Sequence, residues 1–474
     1  MSLRAINMKE TLESLPPVWN EDVLPLIRDI ISKDTGRIFI LDDDPTGSQT
    51  VEDVSLLTKW TMGNLLSEFN SKESATFLLT NTRAKPVQEA VRINKDIGSL
   101  LKTVAENCGR PISVISRCDS TLRGHFPKEV DALSEAIGLN YDGLLFVPFF
   151  SEGGRYTIDD VQYVSDGLYL IPASETPFAS DNAFGYISSN LCEWIEEKTE
   201  GRTKASEVES VSIKDIREGG PIKVADILTG LSNARPCVIN AADMRDLDVV
   251  ALAMLRCEAD GKRFLIRSAA SFVRARIGQG DHELLTREQI TQSDDGGALI
   301  IVGSHVPGST KQLEVLLNLP GMNAVELNVH DVIEGGTNLL ADVVVEVDRC
   351  LSSGENVVVY TSRDLVTGSD PDEYLEIGTK VTDAISEVVL NLSERPRYVI
   401  SKGGMTSSNV LMNGLNVSRA TVPGQVFPGV LVLKMGSESK YPDTSLVLFP
   451  GNVGGPNAMA DVVNRLAPPL CVRS

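Results

Sequence analysis

Short apolar runs that end abruptly in polar clusters recur along this chain, with amphipathic stretches between them. That alternation restricts the fold to parallel sheets covered by helices. In the first half the runs lie at residues 37–41, 75–80, 112–116, 143–148, 237–240 and 264–267, with helical periodicity at 87–106 and 128–137. In the second half they lie at 298–302, 324–327, 356–361, 398–401, 429–434 and 445–449. The polar, Asp- and Gly-rich segment 291–297 separates the two series. The sequence therefore predicts an α/β protein of two domains, 1–290 and 291–474, each a mainly parallel sheet flanked by helices. Residues 201–220, charged and weakly periodic, read as a surface helix and loop rather than a third domain.

Composition narrows the class. With 474 residues, 42% of them hydrophobic and 23% charged, the chain can fill two ordinary globular cores. Its net charge of −21 opposes nucleic acid or an anionic membrane as a partner, because either needs a basic face. An anionic small molecule remains open if local arginines receive it. Cysteines at 108, 118, 192, 237, 257, 350 and 471 show no CxxC spacing, which points to a reducing cytoplasm rather than a zinc cluster or a disulfide scaffold. No apolar run approaches the roughly 20 residues of a membrane span.

Chemistry concentrates where the first-half runs end. After residues 38–41 come Asp42-Asp43-Asp44-Pro45-Thr46-Gly47, at the kind of strand edge where α/β proteins gather ligands. Three adjacent carboxylates repel one another unless a cation or a hydroxyl-rich ligand offsets the repulsion; otherwise they are an acidic turn in water. A second cluster, Ser116-Arg117-Cys118-Asp119-Ser120-Thr121-Leu122-Arg123-Gly124-His125, combines arginines that can clamp a carboxylate with groups that suit sugar hydroxyls. A helix cap with a salt bridge is the plainer account of it. Arg83, after Thr80-Asn81-Thr82, and Arg155, after Glu152-Gly153-Gly154, add two more strand-end arginines. Together these loops describe a site for a small polyol acid.

In the second half glycine replaces arginine. Gly303-Ser304-His305, Gly403-Gly404-Met405-Thr406 and Gly451-Asn452-Val453-Gly454 each follow an apolar run and precede a helical stretch. Exposed backbone amides there suit phosphate oxygens, although no GxxxxGK[ST] loop is present and a lone glycine turn often only ends a strand. Lys402 and Lys434 are candidate phosphate contacts or ordinary strand-end lysines, and His125 and His305 sit within polar clusters. No histidine is assigned a catalytic role, and Cys118 reads as a structural residue.

Taken together, these motifs resemble the four-carbon acid sugar kinase family. Asp43-Asp44-Pro45-Thr46-Gly47 is similar to its Asp-Asp-x-Thr-Gly turn, Asp119-Ser120-Thr121-Leu122-Arg123-Gly124 to its next signature, and Pro148 with Gly154-Arg155 to a third. The resemblance continues at Gly303-Ser304, Gly403-Gly404-x-Thr406 and Gly451-Asn452-x-Gly454. It implies an ATP- and Mg²⁺-dependent kinase acting on a hydroxyl of a sugar acid, with the active site in the interdomain cleft, whose closure would exclude water. Asp43 or Asp44 would receive the hydroxyl proton. Arg83, Arg117, Asp119, Ser120, Arg123 and Arg155 would bind the acid, and Ser304, Gly403, Gly404, Met405, Thr406, Gly451, Asn452 and Gly454 the nucleotide. Met405 stands where the family usually has an acid, His305-Val306 replace Cys-Ser, Arg117 replaces lysine, and Phe149-Phe150 make the sugar site more apolar. These departures leave the metal ligands open. They also widen the substrate from threonate, erythronate or 3-oxo-tetronate to a branched relative such as an acid derived from apiose. A homo-oligomer is compatible with all of this.

Two rival readings share the same residues. Asp42-x-Asp44-x-Thr46 after an apolar run also resembles the nucleophile motif of haloacid-dehalogenase-type phosphatases, which leaves the glycine turns without a role. A non-catalytic sensor of sugar acid and nucleotide is the other.

Overall fold

The computed structural model describes residues 4–33, 36–45, 47–304, 306–335, 339–363, 366, 371–451 and 453–468. The chain divides into two compact units: Met1–Val51 with Trp60–Asp281, and Glu52–Lys59 with His282–Ser474.

The first unit is built on the strands β1 (Arg37–Asp42), β2 (Thr76–Leu79), β3 (Ile112–Arg117), β4 (Gly143–Val147), β5 (Glu209–Val211), β6 (Arg235–Ile239) and β7 (Phe264–Ser268). They lie in the order β5-β6-β4-β7-β3-β1-β2, and every pairing is parallel. Every residue of β1 is buried, as a central strand covered on both faces requires. The helix Val87–Cys108 shows how such a cover is written in sequence. Its inner face repeats at helical spacing through Ile93, Ile97, Leu101 and Val104, and it stops at Gly109 in the left-handed region.

Register places the chemistry. Asp42, the last residue of β1, pairs with Arg117, the last of β3, and Arg117 pairs in turn with Ser268 at the end of β7. The polar clusters therefore emerge side by side at one edge of the sheet. A small antiparallel sheet, Ile6–Asn7, Tyr169–Pro172, Val161–Asp166 and Arg155–Ile158, packs its own core around Ile158, Val161, Leu170 and Ile213.

Residues 201–220 differ from expectation, because they hold β5, which extends the main sheet beyond β6. Only Val211 of that strand is buried, so no apolar run announces it.

The second unit contains β8 (Leu299–Val302), β9 (Met322–Leu327), β10 (Asn356–Thr361), β11 (Val399–Lys402), β12 (Arg419–Phe427), β13 (Val430–Met435) and β14 (Ser445–Phe449). The order is β9-β10-β8-β11-β14-β13-β12, parallel as far as β14 and antiparallel beyond it. The strand Val54–Leu57, from far earlier in the chain, completes this sheet by pairing antiparallel with β12. The core gathers Ile300, Val302, Tyr398, Ile400, Val447 and Phe449 beneath Leu313, Leu316 and Met459. Among the described residues no helix is long and apolar enough to cross a membrane.

Candidate active site

At the carboxyl edge of the first sheet, acids and arginines interlock. Arg117 Nη1 lies 3.2 Å from Asp42 Oδ1 and 3.2 Å from Asp43 Oδ1. Arg83 reaches Asp44 Oδ2 at 2.7 Å, Asp43 Oδ1 at 3.3 Å and Asp119 Oδ1 at 3.4 Å. Arg123 Nε donates to Asp119 Oδ2 at 2.7 Å, and its Nη1 is 3.7 Å from Asp181. The sequence-predicted residues Asp43, Asp44, Arg83, Arg117, Asp119 and Arg123 therefore form one network.

Burial makes this network unusual. It pushes the Asp42 carboxyl up to about 7 against the opposing pull of Arg117, with Asp43 and Asp44 adding to the rise. It pushes Asp43 up to about 6 despite Arg83 and Arg117. Burial acts on Asp119 in the same sense, but Arg83, Arg123 and the hydroxyl of Thr121 overcome it and hold this carboxyl well below the usual range. Asp42 and Asp43 thus sit where protons move near neutral pH, whereas Asp119 is a permanent anion that anchors the arginines.

The three acids are not equivalent. Asp42 is 1% exposed and accepts the Asp44 amide at 3.2 Å. Among the described residues Asp42 Oδ2 and Asp43 Oδ2 both lack a hydrogen-bond partner, but Oδ1 of Asp43 meets two guanidiniums and that of Asp42 one. Gly47 lets the turn fold back on Asp42, since a Cβ there would collide with both of its carboxylate oxygens. Replacing Gly47 by Ala is expected to destabilise the protein by about 1–3 kcal/mol through overpacking. Thermal denaturation measures this, and an unchanged midpoint would show that the turn absorbs the methyl group freely. Thr46 lies outside the described residues.

The remaining predicted positions divide. Arg155 carries no acid partner; burial lowers its pKa, and its guanidinium lies 5.5 Å from the Phe178 ring, which Arg123 also faces at 5.1 Å. Ser120 is buried, and its carbonyl accepts from Gln162 at 2.8 Å. His125 Nε2 lies 3.1 and 2.9 Å from the carbonyls of Thr82 and Lys85, so it ties loops together. Cys118 is buried and its thiol is pushed up to about 11 by burial, as befits a structural residue. Sequence reasoning missed Arg267. It lies one residue before the end of β7, after an apolar run, much as Arg117 ends β3, and that likeness was the available signal.

In the second unit the three glycine turns follow β8, β11 and β14, which are adjacent in the sheet. A Cβ on Gly303 would collide with Thr406 Oγ1, and one on Gly403 would lie 3.0 Å from Ser304 Cβ, so each glycine makes room for a side chain of the other turn. Ser309 Oγ donates to Ser304 Oγ at 3.0 Å and to the Gly451 carbonyl at 3.3 Å. Gln312 Nε2, on the helix Pro307–Leu317, bonds the carbonyls of Val453, Gly454 and Gly455 at 3.0–3.1 Å. Ser304, Gly403, Gly404, Thr406, Gly451 and Gly454 are thereby brought together, and Met405 is 59% exposed beside them. Asn452 and His305 lie outside the described residues. Lys402 is fully buried and donates to the Pro450 carbonyl at 2.7 Å, so it braces the third turn instead of facing a ligand. Among the described residues no three His, Cys, Asp or Glu side chains converge to hold a metal ion.

A model of a sugar-binding N-terminal domain matches residues 38–276, and a model of a nucleotide-binding C-terminal domain matches residues 299–459. No curated protein matches the chain. Among solved structures it is similar to Haemophilus influenzae protein HI1011, with 18% identity, a TM-score of 0.63 and coverage of 90% of this chain and 100% of that one. It is also similar to a Salmonella typhimurium LT2 protein provisionally named a tRNA synthase, with 16% identity, a TM-score of 0.65 and coverage of 91% and 98%. At these identities the likeness is one of fold.

Proposed function

This chain belongs to the two-domain four-carbon acid sugar kinase family, and we propose that it transfers the γ-phosphoryl group of ATP to a hydroxyl of a four-carbon or related branched sugar acid. The observation that carries this reading is Asp43. Its carboxyl is oriented through Oδ1 by two arginines, it titrates near neutrality, and its Oδ2 is left without a partner in the unit matched by the sugar-binding model.

Phosphoryl transfer needs alignment, charge neutralisation and an acceptor for the hydroxyl proton. In this mechanism Asp43 Oδ2 takes the proton as the hydroxyl oxygen bonds to the γ-phosphorus and the bond to the bridging oxygen breaks, releasing ADP. Asp44, paired with Arg83, helps fix the geometry. The backbone turns around Ser304, Gly403 and Gly451 receive the nucleotide phosphates. None of these turns carries an acid, so Mg²⁺ would arrive with the nucleotide and would neutralise phosphate charge there.

The alternatives fit less well. A phosphatase with Asp42 as nucleophile leaves the match to a nucleotide-binding domain and its three glycine turns without a role. A net charge of −21 speaks against a polyanion such as tRNA as substrate. The test is ADP release from Mg-ATP across threonate, erythronate, their 3-oxo forms and branched five-carbon acids. Acid-dependent ADP release supports the kinase, whereas ATP binding without turnover on any acid would favour a sensor.

The raised carboxyls give this reading two pH signatures. Asp43 works as a base only when ionised, so kcat is expected to rise with pH through about 6, and a flat profile from pH 5 to 8 would exclude it as the base. Stability should move the other way. Asp42 and Asp43 hold protons in the folded state above the ordinary value of 3.8, so the folded chain binds more protons than the unfolded one between roughly pH 4 and 7. Their contribution is complete below about pH 4 and is lost as pH rises through 6 and 7. The melting temperature should accordingly decline across that window, and less so in Asp42→Asn.

A further inference from the structure

Arg155, one of the arginines that the sequence offers to the substrate carboxylate, faces the Phe178 ring, whereas Arg83, Arg117 and Arg123 are already engaged by Asp42, Asp43, Asp44 and Asp119. Arg267 is not. It is 3% exposed, its guanidinium lies 5.3 Å from the Phe126 ring, and among the described residues neither Nη1 nor Nη2 has a hydrogen-bond acceptor. A buried guanidinium with unused donors is far more unfavourable than one missing neutral hydrogen bond, so such a group is normally matched by an anion or by water.

The matching space is defined by Gly124, whose φ is +127°. A Cβ built on it would lie 3.2 Å from Arg267 Nη2 and 3.6 Å from Asp43 Oδ2. Two polar groups without partners, one cationic donor and one carboxylate acceptor, therefore flank the same residue that lacks a side chain. Register explains the meeting. Arg267 pairs with Ser116, one residue before Arg117, and so projects to the opposite face of the sheet from Arg117 and Asp42, while Asp43 lies just beyond the end of its strand.

We propose that Arg267, Gly124 and Asp43 Oδ2 form the subsite for the acid end of the substrate. Arg267 takes an anionic carboxylate oxygen, and Asp43 Oδ2 accepts the hydrogen bond of a neighbouring hydroxyl, so the ligand class is a hydroxycarboxylate. Arg83, Arg117 and Arg123 serve instead to position the acids. This assignment rests on the reading of the first unit as the sugar-acid site. The competing occupant is a buried water that satisfies both groups without any ligand.

Calorimetry on the full chain separates the two, using threonate and erythronate beside their uncharged counterparts threitol and erythritol. In Arg267→Met the acids should bind at least tenfold more weakly while the tetritols bind as before, because only the charge-assisted hydrogen bond is lost. Arg267→Lys should restore part of the preference for the acids. Equal loss for acids and tetritols, or no loss, would overturn the assignment and leave Arg267 with its water. If Arg267→Met fails to fold, Arg267→Gln keeps a polar side chain in the same place without its charge, and it should show the same selective loss. Wild-type protein that binds neither acid would sink the sugar-acid reading itself, whereas wild type that binds them and variants that bind equally well would sink only this subsite.

Discussion

Asp43→Asn is expected to lower kcat by about a hundredfold or more, the scale on which a positioned general base acts, while the dissociation constant for ATP stays within about twofold. The substitution keeps the shape of the side chain and its contact with Arg117, but it removes a carboxyl that combines an oxygen without a partner with a pKa of about 6. Asp44→Asn should have a smaller effect on kcat, because Asp44 acts through Arg83. Steady-state kinetics with the best acid substrate, alongside equilibrium ATP binding, measures both. Comparable losses in turnover and in ATP affinity would mean that the acid turn maintains the fold instead of taking a proton.

Gly403→Ala is expected to weaken nucleotide binding by at least tenfold and to leave sugar-acid binding unchanged. Gly403 has φ +110°, a conformation that a residue with a Cβ adopts only under strain, and that Cβ would lie 3.0 Å from Ser304. The strain falls where the turns after β8 and β11 meet, so relaxing it displaces the amides that would face the phosphates. The same change in an ordinary loop would lower the melting temperature alone. Calorimetry with ATP and with threonate on one preparation distinguishes these results, and unchanged ATP affinity in a folded variant would remove this turn from the nucleotide site.

Much of the fold is legible because its strands are buried on both faces. β1, β8 and β14 consist almost wholly of apolar residues, so their runs and their polar ends stand out. β12 was illegible for the opposite reason. It alternates buried Ala420, Val422 and Val426 with Arg419, Thr421 and Gln425, and it also contains Pro423 and Gly424, which dilute a pattern with a period of two. The strand Val54–Leu57 was illegible for another reason: nothing local records that a segment preceding most of the first unit pairs with β12 of the second.

The candidate site divides along the same line. The sequence by itself determined which residue types gather at the strand ends: the acids at 42–44, the arginines at 83, 117, 123 and 155, and the glycines at 303, 403 and 451, because each lies immediately after an apolar run that must be buried. Only the tertiary structure decided what each of them does. Parallel register brings Arg117 against Asp42 and Asp43, so an arginine that sequence offers to a substrate is consumed by neighbouring acids. Burial, which no local pattern encodes, raises Asp42 and Asp43 toward neutrality while Arg83 and Arg123 keep Asp119 ionised. That Arg267 finds no hydrogen-bond acceptor among the described residues is likewise a fact of three dimensions, since pairing depends on distances that the order of residues does not contain.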